Sequence, residues 1–209
     1  KRKIKRIKKL EDIKSNEKVL NVLDIPLRFK KAFNVHHKES SNYVKKCLLV
    51  SHKLCLQEKI KGIINCPINK KNLFKNKNLG VTEFLAKKNG VFNSEVMVIY
   101  NKNLSVAPLT THIRVKEVSK FVKKNFLSKK LITLNKFYIR YFKKTPKIAV
   151  LGLNPHNLEL KKNSEELKVI IPTIKQLKKK VKVSGPYPSD TIFLKDNLKK
   201  FDVILGMYH

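Results

Sequence analysis

The sequence predicts an α/β fold with a largely parallel sheet, and two observations carry that prediction. Short apolar runs alternate with longer segments of helical period, the order produced when strands are joined by crossover helices. Several runs are also nearly continuous in apolar residues, as in strands covered on both faces. The predicted strands span 19–25, 62–66, 95–100, 104–109, 148–153 and 203–207.

Helical segments lie between them. Val44, Cys47, Leu48, Ser51 and Cys55 share one face of a helix over about 41–60. Val115, Val118, Val122 and Phe126 mark a second, and Ser128 is placed to cap a third through Leu131, Leu134 and Tyr138. Ser164 opens a fourth, because its hydroxyl and the carboxylates of Glu165 and Glu166 meet free N–H groups and the positive dipole end. That helix continues through Leu167, Ile170, Ile171, Ile174 and Leu177, with Pro172 kinking it.

Composition narrows the function classes. The 209 residues are 42% hydrophobic, which supports a packed core and excludes a disordered chain. No apolar run approaches the roughly 20 residues of a membrane-spanning helix. The basic start, Lys1 to Leu10, lacks the apolar core and cleavage site of a secretory signal, and the missing initiator Met places the true start upstream. Cys47, Cys55 and Cys66 form no CxxC pair, which fits a reducing cytoplasm, with Cys47 and Cys55 as small core residues and Cys66 in a loop after a strand.

A net charge of +33 admits two readings. A basic chain can bind a polyanion. Yet all but five of the 48 basic residues are lysine, not the forked arginine that base and phosphate recognition favours, and they run the whole length. Together with abundant Asn and Ile, this points to codon bias and solvated lysine faces, with no specific nucleic-acid partner and no membrane.

Three histidines share a context. His112, His156 and His209 each sit just past the carboxyl end of a predicted strand, where ligands gather in open α/β sheets. Three neutral imidazoles plus an open position suit a catalytic divalent ion such as zinc. The alternative is three strand caps that hydrogen-bond their loops. His36, His37 and His52 read as surface residues. No GxGxxG, P-loop, GxSxG or HExxH pattern occurs.

Six stretches carry a resemblance. They are Ile64-Asn65-Cys66-Pro67-Ile68-Asn69-Lys70, Gly80-Val81-Thr82-Glu83-Phe84, Thr110-Thr111-His112, Gly152-Leu153-Asn154-Pro155-His156, Ser184-Gly185-Pro186-Tyr187-Pro188-Ser189-Asp190-Thr191 and Met207-Tyr208-His209. In order and spacing the chain resembles the 4-hydroxythreonine-4-phosphate dehydrogenases from about residue 40 onward. The resemblance implies two α/β/α subdomains around a cleft, in three layers with a mixed, largely parallel sheet. The split would lie near 75–80, the chain would return to the first subdomain near 200, and 1–209 would be a catalytic unit incomplete at both ends.

It also implies a homodimer in the cytoplasm, with NAD and a divalent metal (zinc, magnesium or cobalt) held by His112, His156 and His209 at the subunit interface. The implied reaction is oxidation and decarboxylation of 4-phosphooxy-L-threonine in pyridoxal phosphate synthesis. Thr82 and Val81 match substrate-binding positions, and Lys70 and Asp190 match catalytic cleft residues. The chain departs from the pattern at Val81, where the family has His in GHTEF. It departs again at Asn157-Leu158-Glu159-Leu160-Lys161-Lys162-Asn163, which replaces a glycine-rich AGEGGHxG loop. These departures keep open a paralogue acting on another phosphorylated hydroxy acid, and a non-catalytic basic nucleic-acid-binding protein is the remaining alternative.

Overall fold

The fold is seen in a computed structural model that describes residues 3–13, 18–31, 34–74 and 80–209. The chain divides into two compact units, Lys1–Leu85 and Ala86–His209. The boundary expected near 75–80 falls largely on 75–79, outside the described residues.

In the first unit, β1 (Lys3–Ile7) and β2 (Val19–Leu23) pair in parallel, Lys3 opposite Val19 and Ile7 opposite Leu23. Helix α1 spans His37–Leu56, with the His36 ring accepting the Lys38 N–H at its start. It begins earlier than periodicity suggested because this cap lies before the apolar stripe. Leu48 of α1 packs with Leu73 and Phe74 of α2 (Lys70–Phe74), and Val81, Phe84 and Leu85 of α3 (Val81–Lys88) close the cluster. His36 and His37 are exposed, whereas His52 is half-buried.

The second unit is built on a parallel sheet of order β3-β6-β4-β5, from β3 (Ser105–Pro108), β4 (Ile148–Leu151), β5 (Val183–Tyr187) and β6 (Val203–Gly206). Side chains alternate between its faces. Ala107, Ile148, Val150, Val203 and Leu205 meet α4 (Val118–Phe121), α5 (Lys124–Phe142) and α6 (Ile171–Leu177) on one side. Ala149, Leu151 and Ile204 meet Ile192 and Leu198 of α7 (Lys195–Leu198) on the other. Both faces are therefore covered, which accounts for the apolar strands.

Several expectations are corrected. Residues 62–66 and 95–100 form no strand beyond one antiparallel bridge, Ile99 to Val106, because an apolar run needs a pairing edge as well as a pattern. Strands β1 and β5 were not anticipated. The second predicted helix is a 3-10 turn at Val115–Glu117 followed by four-residue α4, and a tight turn at Val122 with extended backbone at Lys123 breaks it before α5. Helix α5 begins at Lys124, not at Ser128, since Leu127, Leu131, Leu134 and Tyr138 make one continuous buried stripe. Ahead of Pro172 the helix widens into a π turn at Glu166–Ile170, the local form the kink takes. The last strand, β6, pairs with β3 and β4. Among the described residues, no helix is long and apolar enough to cross a membrane.

Candidate active site

Because all four strands of the second unit run in parallel, their carboxyl ends share one edge. Each strand end leads into a residue singled out above. His112 follows β3, His209 follows β6, His156 follows β4 and Asp190 follows β5. The spatial order along the edge is therefore His112, His209, His156, Asp190.

Hydrogen bonds past the strand ends hold the first two arms together. Leu109 N–H donates to the Gly206 carbonyl at 2.7 Å, and the buried Thr110 hydroxyl donates to the Met207 carbonyl at 2.8 Å. The His112 and His209 rings stand with centroids 6.0 Å apart, edge to face. They line a hollow of about 230 Å³ with Thr111, Tyr208 and Val115. The His156 imidazole is exposed, and its Nδ1 lies 3.9 Å from Asp190 Oδ2.

Two of the three histidines share an uncommon backbone conformation, which Glu58, Asn93 and Lys143 also adopt elsewhere. His112 (φ 43°), His156 (φ 48°) and Asn157 (φ 56°) are left-handed, a region that non-glycine residues enter at a cost. Such strain concentrates where geometry serves a ligand. Among the described residues no group of three His, Cys, Asp or Glu side chains is close enough to hold a metal ion. One chain thus pairs His112 with His209 and leaves His156 with Asp190, short of a three-histidine cluster.

The turn after β4 rests on a residue that sequence reasoning took only for a helix-start charge. Glu166 is fully buried, and its carboxylate accepts the Leu153 N–H (2.8 Å), the Asn154 N–H (3.0 Å) and the Asn154 Nδ2 (3.0 Å). Burial pushes its pKa up, but these hydrogen bonds outweigh burial and hold it below the usual carboxylate value. The signal was present: Glu166 sits four and eight residues before buried Ile170 and Ile174, a charge on the apolar stripe of its helix.

The remaining candidates belong to the first unit. Thr82 is exposed in the first turn of α3, where the Glu83 carboxylate accepts the Gly80 N–H at 2.9 Å. Lys70 is exposed at the start of α2, and Val81 is half-buried against the Leu48, Leu73 and Phe74 cluster.

Fold and edge together define an open-sheet α/β protein, a class that takes its ligands outside the carboxyl ends of its strands. Comparison with known proteins narrows this. The profile of the pyridoxal phosphate biosynthetic protein PdxA family matches residues 1–209, and the chain belongs to that family. It is 42% identical over 156 residues to a 4-hydroxythreonine-4-phosphate dehydrogenase of Aquifex aeolicus, covering 72% of this chain and 47% of that protein. It is 32% identical over 212 residues to the same-named enzyme of a Sulfurihydrogenibium species, covering 99% of this chain and 64% of the relative. The crystal structure of the Klebsiella pneumoniae enzyme of that name superposes with a TM-score of 0.84 over the whole chain and 66% of its own length; at 24% identity this likeness shows the fold. The chain spans about half to two thirds the length of these relatives.

Proposed function

We propose that this chain is part of an NAD-dependent, divalent-metal-dependent dehydrogenase. Its proposed reaction is the oxidation and decarboxylation of 4-phosphooxy-L-threonine in pyridoxal phosphate synthesis. One observation carries the reading: three histidines at family-matching positions follow three adjacent parallel strands, two of them in left-handed backbone. The names of the relatives supply the substrate and the dehydrogenase chemistry.

In this reading His112, His156 and His209 are the donors for zinc, magnesium or cobalt. The pair at 6.0 Å comes from one chain and the remaining histidine from a second copy, which makes the homodimer part of the site. When bound, the ion polarises the substrate's C3 oxygen, favouring hydride loss and the decarboxylation that follows. The protein's own groups do the rest. Thr110 ties the His112 and His209 arms through its hydroxyl. Asp190 steadies His156, and Lys70 and Thr82 are the proposed contacts to the phosphorylated substrate. The enzyme works in the cytoplasm.

The test is NADH formation from NAD and 4-phosphooxy-L-threonine by the protein at the family's full length, with and without chelator. Chelator-sensitive turnover that falls at least a hundredfold in His112→Ala, on the order of a lost ligand, supports the reading. Turnover only with a different phosphorylated hydroxy acid would replace the substrate and keep the site.

A further inference from the structure

Glu166 is a buried carboxylate that the proposed chemistry does not use. A charge taken out of water is tolerated only where donors surround it. Here its named donors, Leu153 N, Asn154 N and Asn154 Nδ2, all come from the two residues ahead of Pro155-His156. Asn154 Nδ2 also reaches Glu165 Oε2 at 3.0 Å. Beyond the histidine, Asn157 Nδ2 donates to the Pro186 carbonyl at 3.2 Å, tying the far side of the turn to β5.

Between these anchors stand two successive left-handed residues, His156 and Asn157. Such backbone persists only where its surroundings enforce it. Gly152 completes the fit. A Cβ there would run into Asn157 Oδ1 and stand 3.1 Å from Glu166 Oε1, so the absence of a side chain leaves room for both groups to close on the strand end.

We propose that Glu166 is a positioning residue for His156. Its carboxylate clamps the Leu153-Asn154 backbone and so sets the direction in which the imidazole leaves the sheet edge. The metal arm of the test rests on the reading of His156 as a ligand; the positioning itself does not.

The experiment uses the protein at the family's full length and its Glu166→Gln variant, which keeps the shape and places a donor against the Asn154 N–H groups. Co²⁺ titration and NMR of the histidine rings are the readouts. The expected result is a weakening of Co²⁺ binding by about tenfold or more. The His156 ring resonances should shift, those of His36 and His37 should not, and Glu166→Gln should cost nothing further in a His156→Ala background. A lowered Tm with unchanged Co²⁺ affinity and unchanged His156 resonances would overturn the proposal, showing a carboxylate that serves stability alone. An equal loss in the His156→Ala background would also overturn it, because Glu166 would then act elsewhere. If the wild type takes up no Co²⁺, the metal reading falls, and the His156 resonances alone decide: a shift supports positioning, no shift refutes it. If Glu166→Gln does not fold, Asn154→Ala removes one donor and must still move the His156 resonances; no movement refutes the proposal.

Discussion

Lys144 Nζ lies 2.6 Å from Asp202 Oδ1, while the other Asp202 oxygen accepts the Lys147 N–H at 2.9 Å. The Asp202 carbonyl in turn accepts the Ser105 N–H at 3.0 Å. One residue therefore ties together the starts of β3, β4 and β6, at the edge opposite the histidines.

That tie is pH-dependent. Burial raises the Asp202 pKa, but the Lys144 and Lys147 contacts prevail and hold it below the usual carboxylate value. A depressed folded pKa contributes stability above the unfolded value and loses it as pH falls through the folded one. Asp202→Asn should lower stability by about 1 kcal/mol near neutral pH. The difference from wild type should shrink as pH falls below the ordinary aspartate value and through the depressed folded one, where the native carboxylate is at last protonated. Urea denaturation at a series of pH values checks both.

Leu131 stands in the middle of the α5 stripe and has no exposed surface. Leu131→Ala should cost about 2–5 kcal/mol, since rigid neighbours on the sheet cannot collapse onto the hole. Denaturant unfolding with an unchanged m-value is the measurement.

Gly185 has φ 131°, and a Cβ there would run into the Val150 carbonyl oxygen. Gly185→Ala should therefore destabilise by about 1–3 kcal/mol. Its effect should localise to β4 and β5, so amide exchange at Gly152, whose N–H donates to Tyr187, should quicken before that of β3.

Val81 offers no hydrogen bond where the family's pattern has histidine. If the proposed substrate is right, Val81→His in the full-length enzyme should raise kcat/KM for 4-phosphooxy-L-threonine by about tenfold, the worth of one hydrogen bond to a charged group. The same change should lower Tm, because Val81 packs against Leu48, Leu73 and Phe74. No gain over an already efficient wild type would mean that Asn69 or Lys70 supplies the contact, whereas oxidation of another hydroxy acid phosphate with no turnover of this one by either form would favour the paralogue.

Lysines occur on every described α-helix, from Lys45 and Lys53 in α1 to Lys195 in α7. Charge spread in this way drives only counterion release. Binding to unrelated DNA should be weak at about 50 mM salt and lost by about 200 mM, as read by fluorescence anisotropy. Sequence-selective binding that survives the higher salt would revive the nucleic-acid alternative.

What could be read from the sequence follows from what each element depends on. Strands β3, β4 and β6 are covered on both faces, so their apolar runs announced them, and the histidines at their ends came with them. Strand β5 begins Val183-Ser184-Gly185-Pro186, and β1 is Lys3-Ile4-Lys5-Arg6-Ile7; neither carries a pattern, and both exist through pairing with a neighbour. Residues 62–66 have the pattern but pair with no strand among the described residues. Glu166 was hidden for a related reason. A carboxylate after a Ser reads as a dipole complement until the strand-end N–H groups that meet it are brought close by the fold.

The alternation along β4 also bears on how this gene can change. Ile148 and Val150 face one core while Ala149 and Leu151 face the other. Loss of a single codon inside the strand would exchange the two sets and carry His156 and its clamp out of step with β5 and β6. The segment after Asn157 is under no such phase constraint. Changes in length and composition are thus better tolerated in the 158–163 stretch than in the strand before it.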